Sequence, residues 1–260
     1  MTAIPLYQLD AFTDKPFGGN PAAVCPLDEW LPDDVLQSIA LENNLSETAF
    51  YVPEGDGYRL RWFTPKIEVD LCGHATLATG ALILEKLDPG RDEVSFETRS
   101  GTLGVKREGD MLVMDFPALP AKDVPTPDGL VEALGRKPVR FLRAIKNMAV
   151  FESEADVRAI EPDFGYIAKM EGMGLIVTAP GDGSDCASRY FAPHAGINED
   201  PVTGSAHCTI VPYWTAELGK DEIHARQVSA RAGDLYCRMM GDRVVLGGKA
   251  RLVVEGTFLL

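Results

Sequence analysis

The sequence predicts an α+β fold of two pseudo-symmetric domains, each a barrel-like β-sheet wrapped around a central α-helix. Three observations lead there. The chain repeats itself internally, two helical segments are apolar on nearly every face, and a run of short alternating strands follows each of them. The repeat rests on order as well as similarity. Arg61-Trp62-Phe63-Thr64-Pro65, followed by Cys72-Gly73-His74-Ala75, returns as Arg189-Tyr190-Phe191-Ala192-Pro193, followed by Thr203-Gly204-Ser205-Ala206. Later, Ser100-Gly101-Thr102-Leu103 returns as Ala232-Gly233-Asp234-Leu235, and Gly109-Asp110 as Gly241-Asp242. Each match is displaced by about 130 residues with the order kept, the signature of a duplicated unit.

The elements follow in chain order. Helix-forming composition covers Asp33–Asn43, and ETAFYV then opens a strand with Glu47 at its entry. The alternating, aromatic-rich YRLRWFTP (58–65) reads as a strand. HATLATGALILEKL, after Gly73, has the length and residue types of a central helix near 73–87. VSFETRS, GTLGVKR and MLVMDF make a meander with glycine turns at Ser100-Gly101 and Glu108-Gly109-Asp110. Proline-rich linker composition at 117–120 and 123–128 divides the chain into expected domains 1–117 and 118–260. In the second, a short helix at 128–134 precedes a strand at 188–193 and a central helix near 204–218. Pro212 inside that helix predicts a kink or a break. HARQVSAR, DLYCRMM and RVVLGG repeat the meander, and RLVVEGTFLL is a last strand free to cross back to the first domain. An all-round apolar helix needs strands on every side.

Composition narrows the function. Lys and Arg total 25 against 39 Asp and Glu, a net charge of −14, which disfavours phosphate backbones and anionic membrane surfaces. The five cysteines are scattered without a CxxC pair, as suits reduced thiols. MTAIPLYQLDAFTDKPFGG lacks the basic and apolar regions of a signal peptide, and no apolar run approaches the length of a membrane span. A cytoplasmic protein is expected. The histidines show no metal-ligand spacing, HExxH is missing, and so are the glycine-rich dinucleotide and triphosphate loops. Neither a metal nor a cofactor is expected.

The candidate site residues cluster where the repeat is strongest. Gly73 and Gly204 stand where a loop enters each central helix; the free amides and dipole there form an anion site. Two such starts facing an interdomain cleft would hold a small-molecule carboxylate and the charge developing during proton abstraction. His74 and Ser205 follow them; Ser205 also suits helix capping, while a first-turn histidine favours a neutral, hydrogen-bonding ring. Glu47, entering an apolar strand, is desolvated and suited to general acid/base work, though it equally suits a solvated loop. Asp200 before Pro201 reads as a turn residue or as an anchor for a substrate ammonium or hydroxyl.

PFGGNPAAVC, NLSETAF, RWFTPKIEVDLCGHATLATG and GINEDPVTGSAHC, in this order, resemble the phenazine-biosynthesis isomerase-like (PhzF-like) family, from about Leu6 to the last strand. The resemblance implies the fold of diaminopimelate epimerase, a cofactor-free active site between the domains and a homodimer. It also implies that Glu47 is the catalytic acid/base, with His74, Asp200 and Ser205 completing the polar site and Gly73 and Gly204 giving amides to the substrate. The epimerase relatives use paired cysteines at the two helix starts; here the positions hold Cys72 and Thr203, and a threonine hydroxyl does not ionise usefully near neutrality. The leading expectation is therefore a cofactor-independent isomerase, moving a proton or double bond on a small carboxylate through one glutamate. An amino-acid racemase or epimerase, and a non-catalytic small-molecule-binding protein on the same scaffold, are the alternatives.

Overall fold

The structure, a computed structural model, describes residues 3–260. The chain divides into two compact units. The first runs to Asp115 and takes in Gly247–Leu260; the second is Phe116–Leu246. The last strand is grouped with the first unit.

The first unit contains β1 (Ala3–Ala11), β2 (Asn20–Pro26), α1 (Asp33–Asn43), β3 (Glu47–Glu54), β4 (Gly57–Phe63), β5 (Glu68–Val69), α2 (Gly73–Ala81), β6 (Glu93–Thr98), β7 (Gly101–Glu108) and most of β8 (Met111–Pro117). β1 pairs antiparallel with β2 and, on its other edge, with the C-terminal strand Ala250–Leu259. From β2 the pairing runs parallel to β3, antiparallel to β4, parallel from β4 to β6, then antiparallel to β7 and β8. This curved sheet wraps α2, which touches β1, β2, β3, β7 and the C-terminal strand. Every residue from His74 to Ala81 is buried, the environment its apolar circumference requires. Gly80 lets the helix approach β7, since a Cβ there would stand 2.6 Å from a Val105 methyl. The helix expected near 73–87 is present, but its last part, Leu82–Leu87, winds as a π-helix closed by Asp88 N–H donating to Ile83 O. On the other face of the sheet α1 packs through Leu36, Ile39 and Ala40 against Phe50, Val52 and Phe63. Both faces of β3 are thus covered, and Thr48–Val52 is continuously buried.

The second unit repeats the plan. Its elements are β9 (Lys122–Asp123), α3 (Leu130–Leu134), β10 (Arg140–Arg143), β11 (Asn147–Val150), α4 (Glu154–Arg158), α5 (Phe164–Ile167), β12 (Leu175–Pro180), β13 (Cys186–Ala192), β14 (Ile197–Asp200), α6 (Gly204–Leu218), β15 (Glu222–Gln227), β16 (Gly233–Met240) and most of β17 (Arg243–Gly248). The strand Ala250–Leu259 is then β18. From β10 the order of antiparallel, parallel, antiparallel, parallel and antiparallel pairing is that of the first unit from β1. α6 lies against β15 and β16, and Trp214 Nε1–H donates to Thr178 Oγ1 on β12 at 2.9 Å. The short helices α3 to α5 cover the opposite face with Leu130, Leu134, Val157 and Ile167.

Of the kink or break expected at Pro212, the break does not occur: α6 runs unbroken from Gly204 to Leu218. A proline leaves the carbonyl four residues earlier without its helical donor. Here that carbonyl belongs to Cys208, and Leu119 N–H donates to it at 2.8 Å. An amide from outside the helix supplies the missing bond, and the helix continues. Among the described residues no helix is long and apolar enough to cross a membrane.

Candidate functional site

Three of the sequence-selected residues meet in the first unit. Asn44 closes α1 in a left-handed conformation, φ 49°, its N–H donating to Ala40 O. The chain then enters β3 at Glu47, which lies opposite Ala22 in the parallel register with β2. Cys72 is the extended N-cap of α2, so Gly73 and His74 are the first two helical residues. The result is a short polar chain. The Asn20 amide nitrogen, at the start of β2, lies 3.2 Å from His74 Nδ1. Cys72 Sγ lies 3.5 Å from the same nitrogen, and Glu47 Oε2 lies 3.2 Å from Nε2, within charge contact though off the hydrogen-bond line.

With the Asn20 amide N–H turned toward Nδ1, the complementary tautomer has that nitrogen as acceptor and the proton on Nε2, on the Glu47 side. Burial pushes the His74 pKa down to about 3, so the ring is neutral at physiological pH. Both side chains are well covered, His74 at 5% and Glu47 at 13% exposure, and the carboxylate keeps an opening for proton exchange. Cys72 is buried as well.

A sulfur, a ring nitrogen and a carboxylate oxygen of this group all lie within 4.8 Å of one another, a donor set of the kind zinc uses. The thiol faces Nδ1 while the carboxylate faces Nε2. An ion bound at Nδ1 would have the thiol beside it and the carboxylate across the imidazole, and one bound at Nε2 the reverse. The donors are thus divided between the two sides of the ring rather than gathered at one ring nitrogen.

The second unit holds the other selected residues. Asp200 ends β14; Thr203 Oγ1 donates to its Oδ2 at 2.5 Å. Gln227 on β15 ties the corner together, its Oε1 accepting from Thr203 N–H at 2.8 Å and its Nε2–H donating to Asp200 O at 2.7 Å. Thr203 is the N-cap of α6, with Gly204 and Ser205 its first two residues. Ser205 therefore does not cap the helix. His207 Nδ1–H donates to Thr203 O at 2.8 Å, and burial pushes this ring's pKa down to about 4.

Both central helices start without a side-chain cap, whereas the surface helices α4 and α5 are capped by Ser153 and Asp163. The amides at Gly73 and Gly204 are thereby left as donors at a positive helix end. Asn20 and Gln227 were not singled out from the sequence. Asn20 lies within the quoted PFGGNPAAVC, so the motif was a signal; nothing local marks Gln227.

The family model described as "Phenazine biosynthesis-like protein" matches residues 9–256. An uncharacterized isomerase of Pseudomonas aeruginosa is 52% identical over 257 residues, covering 99% of each chain. A crystal structure of a PhzF-family phenazine biosynthesis protein from Enterococcus faecalis superposes with a TM-score of 0.97 at 43% identity, over 100% of both chains. A hydroxyproline epimerase from Agrobacterium vitis, 10% identical and covered to 91%, shares the fold with a TM-score of 0.63.

Proposed function

Since the chain belongs to the phenazine biosynthesis-like protein family and is an isomerase of that family, we propose that it moves a proton on a small carboxylated metabolite with Glu47 as its single acid/base. The Asn20–His74–Glu47 chain is the observation that carries this reading. Glu47 as carboxylate takes a proton from a carbon of the substrate and becomes the carboxylic acid. It then returns the proton at a second position, so the product is an isomer and the enzyme is restored. His74 is a positioning residue: Asn20 holds the ring through Nδ1, and Nε2 stands 3.2 Å from the Glu47 carboxylate, within reach of a hydrogen bond on a small rotation. The uncapped amides at Gly73 suit the negative charge that develops on the substrate's conjugated carboxylate. The family pattern gives Asp200, Thr203, Gly204 and Ser205 the task of holding substrate, and the Thr203-fixed Asp200 carboxylate is an acceptor suited to a hydroxyl or ammonium. The proposal includes action without a cofactor, as a cytoplasmic homodimer.

Deuterium incorporation tests it. Incubated in D2O with a panel of unsaturated and α-amino carboxylates, the enzyme should label its substrate at carbon. Glu47→Gln should lower that labelling by about a thousandfold or more. Full labelling by the variant overturns the assignment. A cysteine-based epimerase is the second reading, favoured by the Cys72 thiol beside His74. Exchange at an α-carbon that survives Glu47→Gln but is lost in Cys72→Ala would select it. Thr203 at the equivalent N-cap argues against a two-thiol version.

A further inference from the structure

Proton transfer by Glu47 leaves one buried charge without a task. Lys146 lies between β10 and β11, is only 6% exposed, and among the described residues makes no hydrogen bond or ion pair through its ammonium. Its Nζ stands 5.8 Å from the centroid of the Tyr190 ring. Tyr190 is itself pinned, its hydroxyl donating to Met173 O, and it faces Asp200 in the β13–β14 register. Burial lowers the lysine's pKa, while Cys208 and Asp200 push it back up, so the ammonium shares the electrostatic neighbourhood of Asp200 and the first turns of α6. Cys208 lies one turn into that helix, its thiol directed at Gly204 O. A lysine this deep is normally paired, because an unpaired buried ammonium costs stability. An aromatic ring alone is weak compensation.

We infer that Lys146 is a specificity determinant of this half of the protein: its ammonium, above the Tyr190 ring that faces Asp200 across the β13–β14 register, takes a carboxylate of the substrate. The inference deepens the isomerase reading and rests on it. A carboxylate fits better than a phosphate, since Asp200 in the same cluster repels a dianion more than a monoanion. Keeping the lysine unpaired in the free protein leaves its full attraction for the ligand, and the ligand's charge then relieves the burial cost.

Malonate and inorganic phosphate serve as probes, titrated by calorimetry into the full chain and followed through the lysine Nζ resonances. Saturable malonate binding is expected in the wild type, tighter than phosphate. Lys146→Met should weaken it by about tenfold or more, and Lys146→Arg should restore part of it. The melting temperature adds a readout that a structural lysine would move the other way. Lys146→Met removes an unpaired buried charge, so it should melt at or above the wild-type temperature. Unchanged malonate affinity in Lys146→Met overturns the inference, as does the absence of saturable binding in the wild type, tighter phosphate binding, or a marked drop in melting temperature. Glu47→Gln separates the two readings, because it should abolish exchange while leaving malonate affinity intact. Full exchange in that variant would defeat the glutamate mechanism and not the lysine site.

Discussion

Glu47 and His74 are ordinary residues made unusual by their surroundings. The carboxylate is held at the mouth of a strand whose next five residues are buried, and the imidazole is neutral because water is excluded from it. Asn20 is the residue on which the ring's orientation depends. Asn20→Ala removes the donor to a buried nitrogen, and it should cost about 1–3 kcal/mol of stability in chemical denaturation. Exchange activity should fall as well, since the ring is then free to place either nitrogen toward Glu47. Acidity gives a second test. His74 and His207 have folded pKa values of about 3 and about 4, below the 6.5 of a free histidine. Below pH 6.5 the unfolded chain takes up protons that the folded chain refuses. Each ring therefore lowers stability by about 1.4 kcal/mol per pH unit as pH falls toward its folded value, and contributes no slope above 6.5. Urea unfolding at pH 7, 6 and 5 should show this fall, with a shallower slope in His207→Gln. The sequence marked Glu47 and His74 because their motifs stand out. Lys146 gave no such mark, for only tertiary burial separates it from a solvated lysine in a charged stretch.

Among the elements, the two central helices were readable and their irregularities were not. Apolar residues on every face, with a glycine entry, define Gly73–Ala81 with its extension and Gly204–Leu218 from sequence alone. The π-winding of Leu82–Leu87 is invisible there, since LILEKL would suit an ordinary helix equally well. Pro212 is the instructive case. A local rule predicts disruption, but a non-local amide, Leu119 N–H, replaces the bond the proline removes. Pro212→Ala restores a helical donor at that position, which competes for Cys208 O. Hydrogen exchange should then show the Leu119 amide losing protection while α6 keeps its own. Unchanged protection at Leu119 would mean that its bond does not depend on the proline.

For the whole molecule, the repeat reaches beyond strand order into side-chain chemistry. Arg61 grips Glu68 with two hydrogen bonds of 2.7 and 2.8 Å and lies over the Phe63 ring. Arg189 grips Glu199 with 2.8 and 2.9 Å and lies over Phe191. Each pair fastens the short strand before a central helix to its neighbour, so each sets the height at which that helix begins. Removing Arg189 leaves the largely covered Glu199 without its cation, and Arg189→Met should cost about 3 kcal/mol, whereas Glu68 keeps Arg99 at 2.7 Å and Arg61→Met should cost less. Exchange protection should fall first in the unit carrying the substitution. The halves differ where chemistry is placed: β3 begins with Glu47 and β12 with Leu175, while β14 ends in Asp200 where β5 ends in Val69. The repeat thus made the architecture legible from order alone, but which copy carries which polar group could be read only from motifs.

The pairing of β1 with β18 joins opposite ends of the sequence, from Ala3↔Leu259 to Ala11↔Ala250. On the ribosome, Phe116–Leu246 is one uninterrupted stretch that can fold while translation continues. The first-made unit must wait, its opening strand paired with β2 on one edge while the other edge stays open until β18 emerges. The glutamate and histidine are therefore translated early, yet the barrel that holds them is among the last parts of the chain to close.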